Sequence, residues 1–218
     1  MGKRNVLLVS VMMGLLALTG CQTVYYGTLE KAGIHKRDLM VTRVQDARDA
    51  QDEAKEQFQS ALEQFTSVVE VKGGDLEKKY NILNGAYQES KAKADLVSKR
   101  IESVESVSRA LFDEWEDELG QYASASLRED SRRKLQQTRR DYERLIQAMK
   151  KAEKKIQPVL RAFHDQVLYL KHNLNAQAIS SLRNELVTIE DNVAALVTEM
   201  EKSIREAELF IQALKQEG

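Results

Sequence analysis

Proline and cysteine are nearly missing from this sequence, with one of each in 218 residues. An average chain carries about 5% proline. Proline punctuates loops and breaks helices, so its scarcity predicts few loops and long helices. A single cysteine excludes a disulfide framework within the chain. No stretch alternates apolar and polar residues with period two, so no sheet is expected. Neither sign of charge dominates: 33 basic against 34 acidic residues give a net charge of -1. The apolar content, 42%, is ordinary and regularly spaced, which disfavours disorder. Signatures of catalysis are missing too. There is no H-E-x-x-H, no G-x-S-x-G and no phosphate-binding glycine loop. The histidines are His35, His164 and His172. The last two fall about 80° apart around one helix, a poor chelating pair with no free thiol to join them. Carboxylates abound, but on charged helices a pair of them carries no information. We therefore expect no metal, no cofactor and no enzymatic activity.

What is present begins with an address. Lys3 and Arg4 precede an apolar segment of 13 residues, Val6 to Leu18. That is too short for a transmembrane helix, which needs about 20 residues, and it suits a secretory signal peptide. Leu18-Thr19-Gly20-Cys21 follows and resembles the bacterial lipobox, in which the cysteine is lipidated and becomes the new N-terminus. The resemblance implies a signal peptide over residues 1–20, lipid attachment at Cys21 and a lipidated tether over residues 21–37. Three acyl chains exceed the two signals that stable anchoring needs. Gln22, where an Asp would signal retention, implies export to the outer membrane, with the chain facing the periplasm. The Met1-Gly2 opening carries Val6 where N-myristoylation needs Ser or Thr, so that pattern fails.

From Asp38 to Gly218 the chain reads as heptads. Alternating steps of four and three from Met40 give Val44, Ala47, Gln51, Ala54, Phe58, Ala61, Phe65 and Val68, in a first helix over Asp38–Val71 capped by Asp38. Gly73-Gly74 breaks it, and Asp75 caps a second helix running to Tyr122. The second seam runs from Leu76 through Tyr80, Leu83, Tyr87, Val97, Ile101, Val104 and Trp115 to Tyr122, with Asn84-Gly85 a point where it can kink. Gly120–Ser126 is small and polar and forms a turn. The third helix, Leu127–His172, has its seam from Leu135 through Met149 and Phe163 to Leu170. Pro158 lies inside it without breaking the phase, which favours a kink over a stop. After Asn173-Leu174-Asn175 the fourth helix, Ala176–Leu214, has the cleanest seam, apolar at every step but Ser203. Short breaks make sequential helices antiparallel. The fold class is thus all-α: an elongated antiparallel coiled-coil bundle of about four long helices over residues 38–218.

Charges are sorted by helix. Leu127 to Gln157 holds 11 basic and five acidic residues, while Glu102 to Glu118 holds seven acids and only Arg109. The turn between them lays acidic against basic. One reading is that complementary flanks select the pairing partner. The other is a basic face on the third helix, with Arg132, Arg133, Arg139 and Arg140 receiving an anionic partner. Trp115, amid Asp113 to Glu118, is read as filling the core at a hairpin end.

The segment Tyr25-Tyr26-Gly27-Thr28-Leu29-Glu30-Lys31-Ala32-Gly33-Ile34-His35-Lys36-Arg37-Asp38, then V-T-R-V-Q-D-A-R-D-A-Q and Q-F-Q-S-A-L-E-Q-F, resembles the start of the DUF2959 family. These are proteobacterial proteins of unknown function, often predicted lipoproteins, and the resemblance extends over nearly the whole mature chain. It brings no catalytic residues. It implies that Tyr25–Asp38 is more than a slack tether; Tyr25, Tyr26, Lys36 and Arg37 beside an acylated Cys21 would suit the bilayer interface.

Two functional expectations follow. The first is a non-enzymatic envelope lipoprotein, held in the membrane by its lipid and acting as a helical scaffold or protein-interaction module, through a protein partner or self-association. The second is a binding module for an anionic envelope component, a cell-wall polymer or lipid headgroup, on the basic face of the third helix. A periplasmic address argues against nucleic acid.

Overall fold

The computed structural model describes residues 35–70, 75–173 and 176–216. The signal peptide, Cys21 and the tether as far as residue 34 lie outside the described residues, as do the Gly73-Gly74 break and Leu174-Asn175. Four helices make up the fold: α1 Lys36–Glu70, α2 Leu76–Leu119, α3 Ala125–His172 and α4 Ala176–Gln216. Their 35, 44, 48 and 41 residues give rods of about 50 to 70 Å at 1.5 Å per residue. There is no strand among the described residues.

The heptads form these helices because their apolar steps have somewhere to go. Every seam position named for the first helix, Met40 to Val68, is buried. So are Leu83 and Ala94 through Leu111 on α2, all but Tyr142 and Gln166 on α3, and all but Leu186 on α4. Each helix packs on two others, α1 on α2 and α4, and α3 on α2 and α4, which closes a four-membered ring around one core. Cross-helix pairs set the direction. Gln57 with Glu89, Glu53 with Lys93 and Asp46 with Arg100 step back along α1 as they step forward along α2. Arg144 with Glu206, Lys151 with Glu199 and Tyr169 with Ser181 do the same for α3 and α4. Arg37 with Leu214, Gln51 with Ser203 and Val69 with Arg183 do so for α4 and α1. The ring is therefore up-down-up-down. Phe163 of α3 reaches across it, its ring stacked on Phe65 at 4.6 Å and near Phe58 at 6.3 Å.

The helix ends differ from the sequence reading in four places, the simplest being α4, which runs on past Leu214 to Gln216. Asp38 does not cap α1; it sits in the first turn, and the carbonyl of His35 accepts from Leu39 N at 3.1 Å. The start moves upstream because neighbours hold it: Lys36 pairs with Glu114 of α2 at 2.9 Å, and Arg37 donates to the Leu214 carbonyl at 2.6 Å. Asp38 still favours the helix by placing a negative charge at its positive end. The second helix ends at Leu119, short of Tyr122, as Gly120 N bonds back to the Asp117 carbonyl. α3 begins at Ala125 because the Ser124 hydroxyl accepts from Leu127 N, and Arg128 ties the turn by donating to the Tyr122 carbonyl at 2.7 Å. Asp75 caps α2 as expected, accepting from Glu77 N and Lys78 N. Both α2 and α3 are continuous helices, across Asn84-Gly85 and across Pro158 respectively.

The carbonyls left open at α1's C-terminus are met by cations from its neighbours. Lys79 of α2 donates to the Val68 carbonyl at 3.1 Å and Arg183 of α4 to the Val69 carbonyl at 3.0 Å. Orphan carbonyls and a negative helix end are satisfied together.

Candidate binding surfaces

The basic start of α3 lies along the acidic end of α2. Arg139 donates to Glu116 at 2.6 Å and stands 5.3 Å over the Phe112 ring; Lys150 pairs with Glu105. Trp115 is half-buried against the core, its indole N–H donating to the Ser131 hydroxyl at 2.8 Å. Arg132 and Arg133 turn back along their own helix to Glu129 at 2.7 Å and Asp130 at 2.9 Å. Arg140 donates to the Gln137 amide oxygen, a neutral partner. The four arginines named in the sequence thus share one helix but not one role. Three of them hold acids, and one keeps an uncompensated charge.

Their partners carry the charge shifts. The Arg133 hydrogen bond and the nearby Lys134 hold the Asp130 carboxyl below its ordinary value of 3.8. Hydrogen bonds from Lys151 and Lys202 hold Glu199 below 4.5. Glu105 raises the Lys150 ammonium above 10.5. Burial raises the Tyr142 hydroxyl above 10.0.

A second surface lies at the opposite end of the bundle from Lys36, where α2 begins and α3 ends. An open groove of about 350 Å³ runs between them. Tyr80, Asn84, Tyr87, Gln88 and Lys91 line it from α2, with His164, Val167, Leu168 and Lys171 facing them from α3. The Tyr87 and His164 rings are 5.3 Å apart. In the sequence, Tyr80 and Tyr87 read as ordinary seam residues and Asn84-Gly85 as a kink. The signal available was two seam steps, one heptad apart, occupied by tyrosine where an aliphatic would pack as well. Among the described residues no group of three His, Cys, Asp or Glu is placed to hold a metal, and no helix is long and apolar enough to cross a membrane.

The fold and these surfaces define the class: an antiparallel four-helix bundle of coiled-coil character with grooved, charged outer faces. The chain belongs to the DUF2959 family, described as a protein of unknown function, whose profile matches residues 25–214. No curated protein matches it.

Proposed function

We propose that the protein is a non-enzymatic envelope lipoprotein, anchored through Cys21 and acting as a membrane-tethered helical scaffold that presents a protein-interaction surface. One observation carries the reading: the four seams are occupied by one another, so the rod is complete in one chain and its outer faces are what remain to act. The described helices start at Lys36, soon after Cys21. A chain tethered there stands with the ends of the helices at Glu70, Leu76, His172 and Ala176 farthest from Lys36. Among the described residues, exposed large apolar side chains lie at both ends, Ile82, Leu168, Tyr169 and Val187 toward the far one and Leu127 and Leu209 toward the anchored one, with Val187 the most exposed at 65%. The anchor is tested by acyl labelling and fractionation of the full chain: labelled membrane protein is expected, and loss of the label in Cys21→Ser. A Cys21→Ser variant that keeps its label would overturn it. The scaffold is tested by photo-crosslinkers placed in cells at Leu168 and Val187 and at the exposed Gln59. A discrete protein adduct from the first two alone is expected; no adduct at any of them would sink the reading.

A second reading, binding of an anionic envelope component, is favoured by the cations of α3 that no acid meets. Lys154, Arg161 and Lys171 are exposed and make no ion pair among the described residues.

A further inference from the structure

The groove between α2 and α3 combines three features that the fold itself does not use. First, its polar groups are idle. Tyr80, Asn84, Tyr87, Gln88 and Lys171 make no hydrogen bond or ion pair with other described residues. Packing alone would be served by aliphatic residues at Tyr80 and Tyr87, so their hydroxyls are not needed by the core. Second, the groove is cationic. Lys171 and Lys91 line it; Lys91 meets only Asp95, one turn along its own helix, at 3.9 Å. Lys154 and Arg161 continue the α3 stripe of His164 and Lys171 at steps of three and seven. Third, two other grooves among the described residues have the opposite charge. Asp165 and Glu185 line the one between α3 and α4, and Glu63 and Glu70 the one on α1.

Aromatic faces beside idle amides and hydroxyls suit a sugar ring, which offers C–H faces for stacking and hydroxyls for hydrogen bonding. The flanking ammonium and guanidinium groups suit a carboxylate or phosphate carried on that ring. Val167 and Leu168 also line the groove; beside Tyr80 and Tyr87 they give a short apolar patch, not the deep slot a lipid tail needs nor a stripe sustained over several heptads for a partner helix.

We propose that the α2–α3 groove is a binding site for an anionic oligosaccharide, with Tyr87 and His164 supplying the stacking surface and Lys171 the anion contact. The proposal rests on the second functional reading and moves its site from Arg132, Arg133, Arg139 and Arg140 to the far end of the bundle.

The test titrates the full chain, purified in detergent, with a short oligogalacturonate, a neutral malto-oligosaccharide of equal length and inorganic polyphosphate. The variants are Lys171→Glu and His164→Ala at exposed positions, Tyr87→Leu and Tyr87→Phe within the groove, and the fourfold Glu variant at Arg132, Arg133, Arg139 and Arg140. Oligogalacturonate is expected to bind more tightly than the other two and to weaken with salt. Lys171→Glu should weaken it about tenfold or more. Tyr87→Leu, which loses ring and hydroxyl, should weaken it more than Tyr87→Phe, which loses the hydroxyl alone, and the fourfold variant should leave it within about threefold, since those charges lie beyond a Debye length. Three results would overturn the proposal. Polyphosphate binding as tightly, with Tyr87→Leu silent, would mean attraction of charge alone. Loss in the fourfold variant but not in the groove variants would return the site to the start of α3 and leave the second reading standing. No salt-sensitive binding to any probe would remove both.

Discussion

Gln51 is a polar residue on an otherwise apolar seam, fully buried near the middle of α1. Its amide oxygen accepts from the Ser203 hydroxyl of α4 at 2.7 Å, while its amide nitrogen is buried with no partner. A buried amide left half-satisfied costs stability, and replacing both partners with apolar groups can recover it. Ser203→Ala alone is expected to destabilise by about 1–3 kcal/mol, because it strands the oxygen as well. Gln51→Leu with Ser203→Ala should be neutral or stabilising, and a double-mutant cycle by urea denaturation reads the difference. Such a pair serves register better than stability: only one alignment of α1 on α4 lets the two meet. Gly85 poses the opposite case. It lies inside α2, and a methyl group there would meet nothing within 4 Å. Gly85→Ala should therefore gain about 1 kcal/mol of helix propensity and raise Tm by about 2–4 °C. An unchanged or lower Tm would contradict this.

At the scale of the helices, apolar seams fix the packing and charged flanks choose the neighbour. Exposed ion pairs contribute little each, but their protonation sets the pH range over which the flanks agree. The Asp130 and Glu199 carboxyls are held below 3.8 and 4.5, so their contribution is present above those values and is lost as pH falls through the lowered ones. Lys55 and Lys150 are raised above 10.5 by Asp52 and Glu105, so theirs is present below that value and is lost as pH rises past the raised ones. Thermal unfolding should thus show Tm level from about pH 5 to 10 and falling on both sides. A maximum confined to neutral pH would contradict this. This sorting was legible in part: Arg139 meets Glu116 and Lys150 meets Glu105 across the hairpin, while Arg132, Arg133 and Arg144 turn to acids of their own helix and Glu114 to Lys36. The seams were legible because a heptad position is a local property. What escaped is what depends on which ends meet. Nothing near Lys79, Arg183 or Arg37 in the sequence says that each will cap a carbonyl on another helix. The groove escaped likewise, because tyrosine at a seam step counts as apolar until the facing helix brings His164 and Lys171 beside it.

For the molecule as a whole, the central claim is that one chain closes its own core. Met40, Phe58 and Phe65 of α1, Leu83 and Ile101 of α2, Met149 and Phe163 of α3, and Leu196 and Phe210 of α4 are buried without a second copy. On the proposed reading, function then falls to the outer faces. The measurement that bears on this most directly is sedimentation equilibrium of the chain lacking residues 1–21, at low and at high salt. The mass of a single chain is expected in both. A stable dimer at both salt concentrations would contradict it, since salt weakens charge pairing but not a shared apolar seam, and the seams would then be an interface between copies.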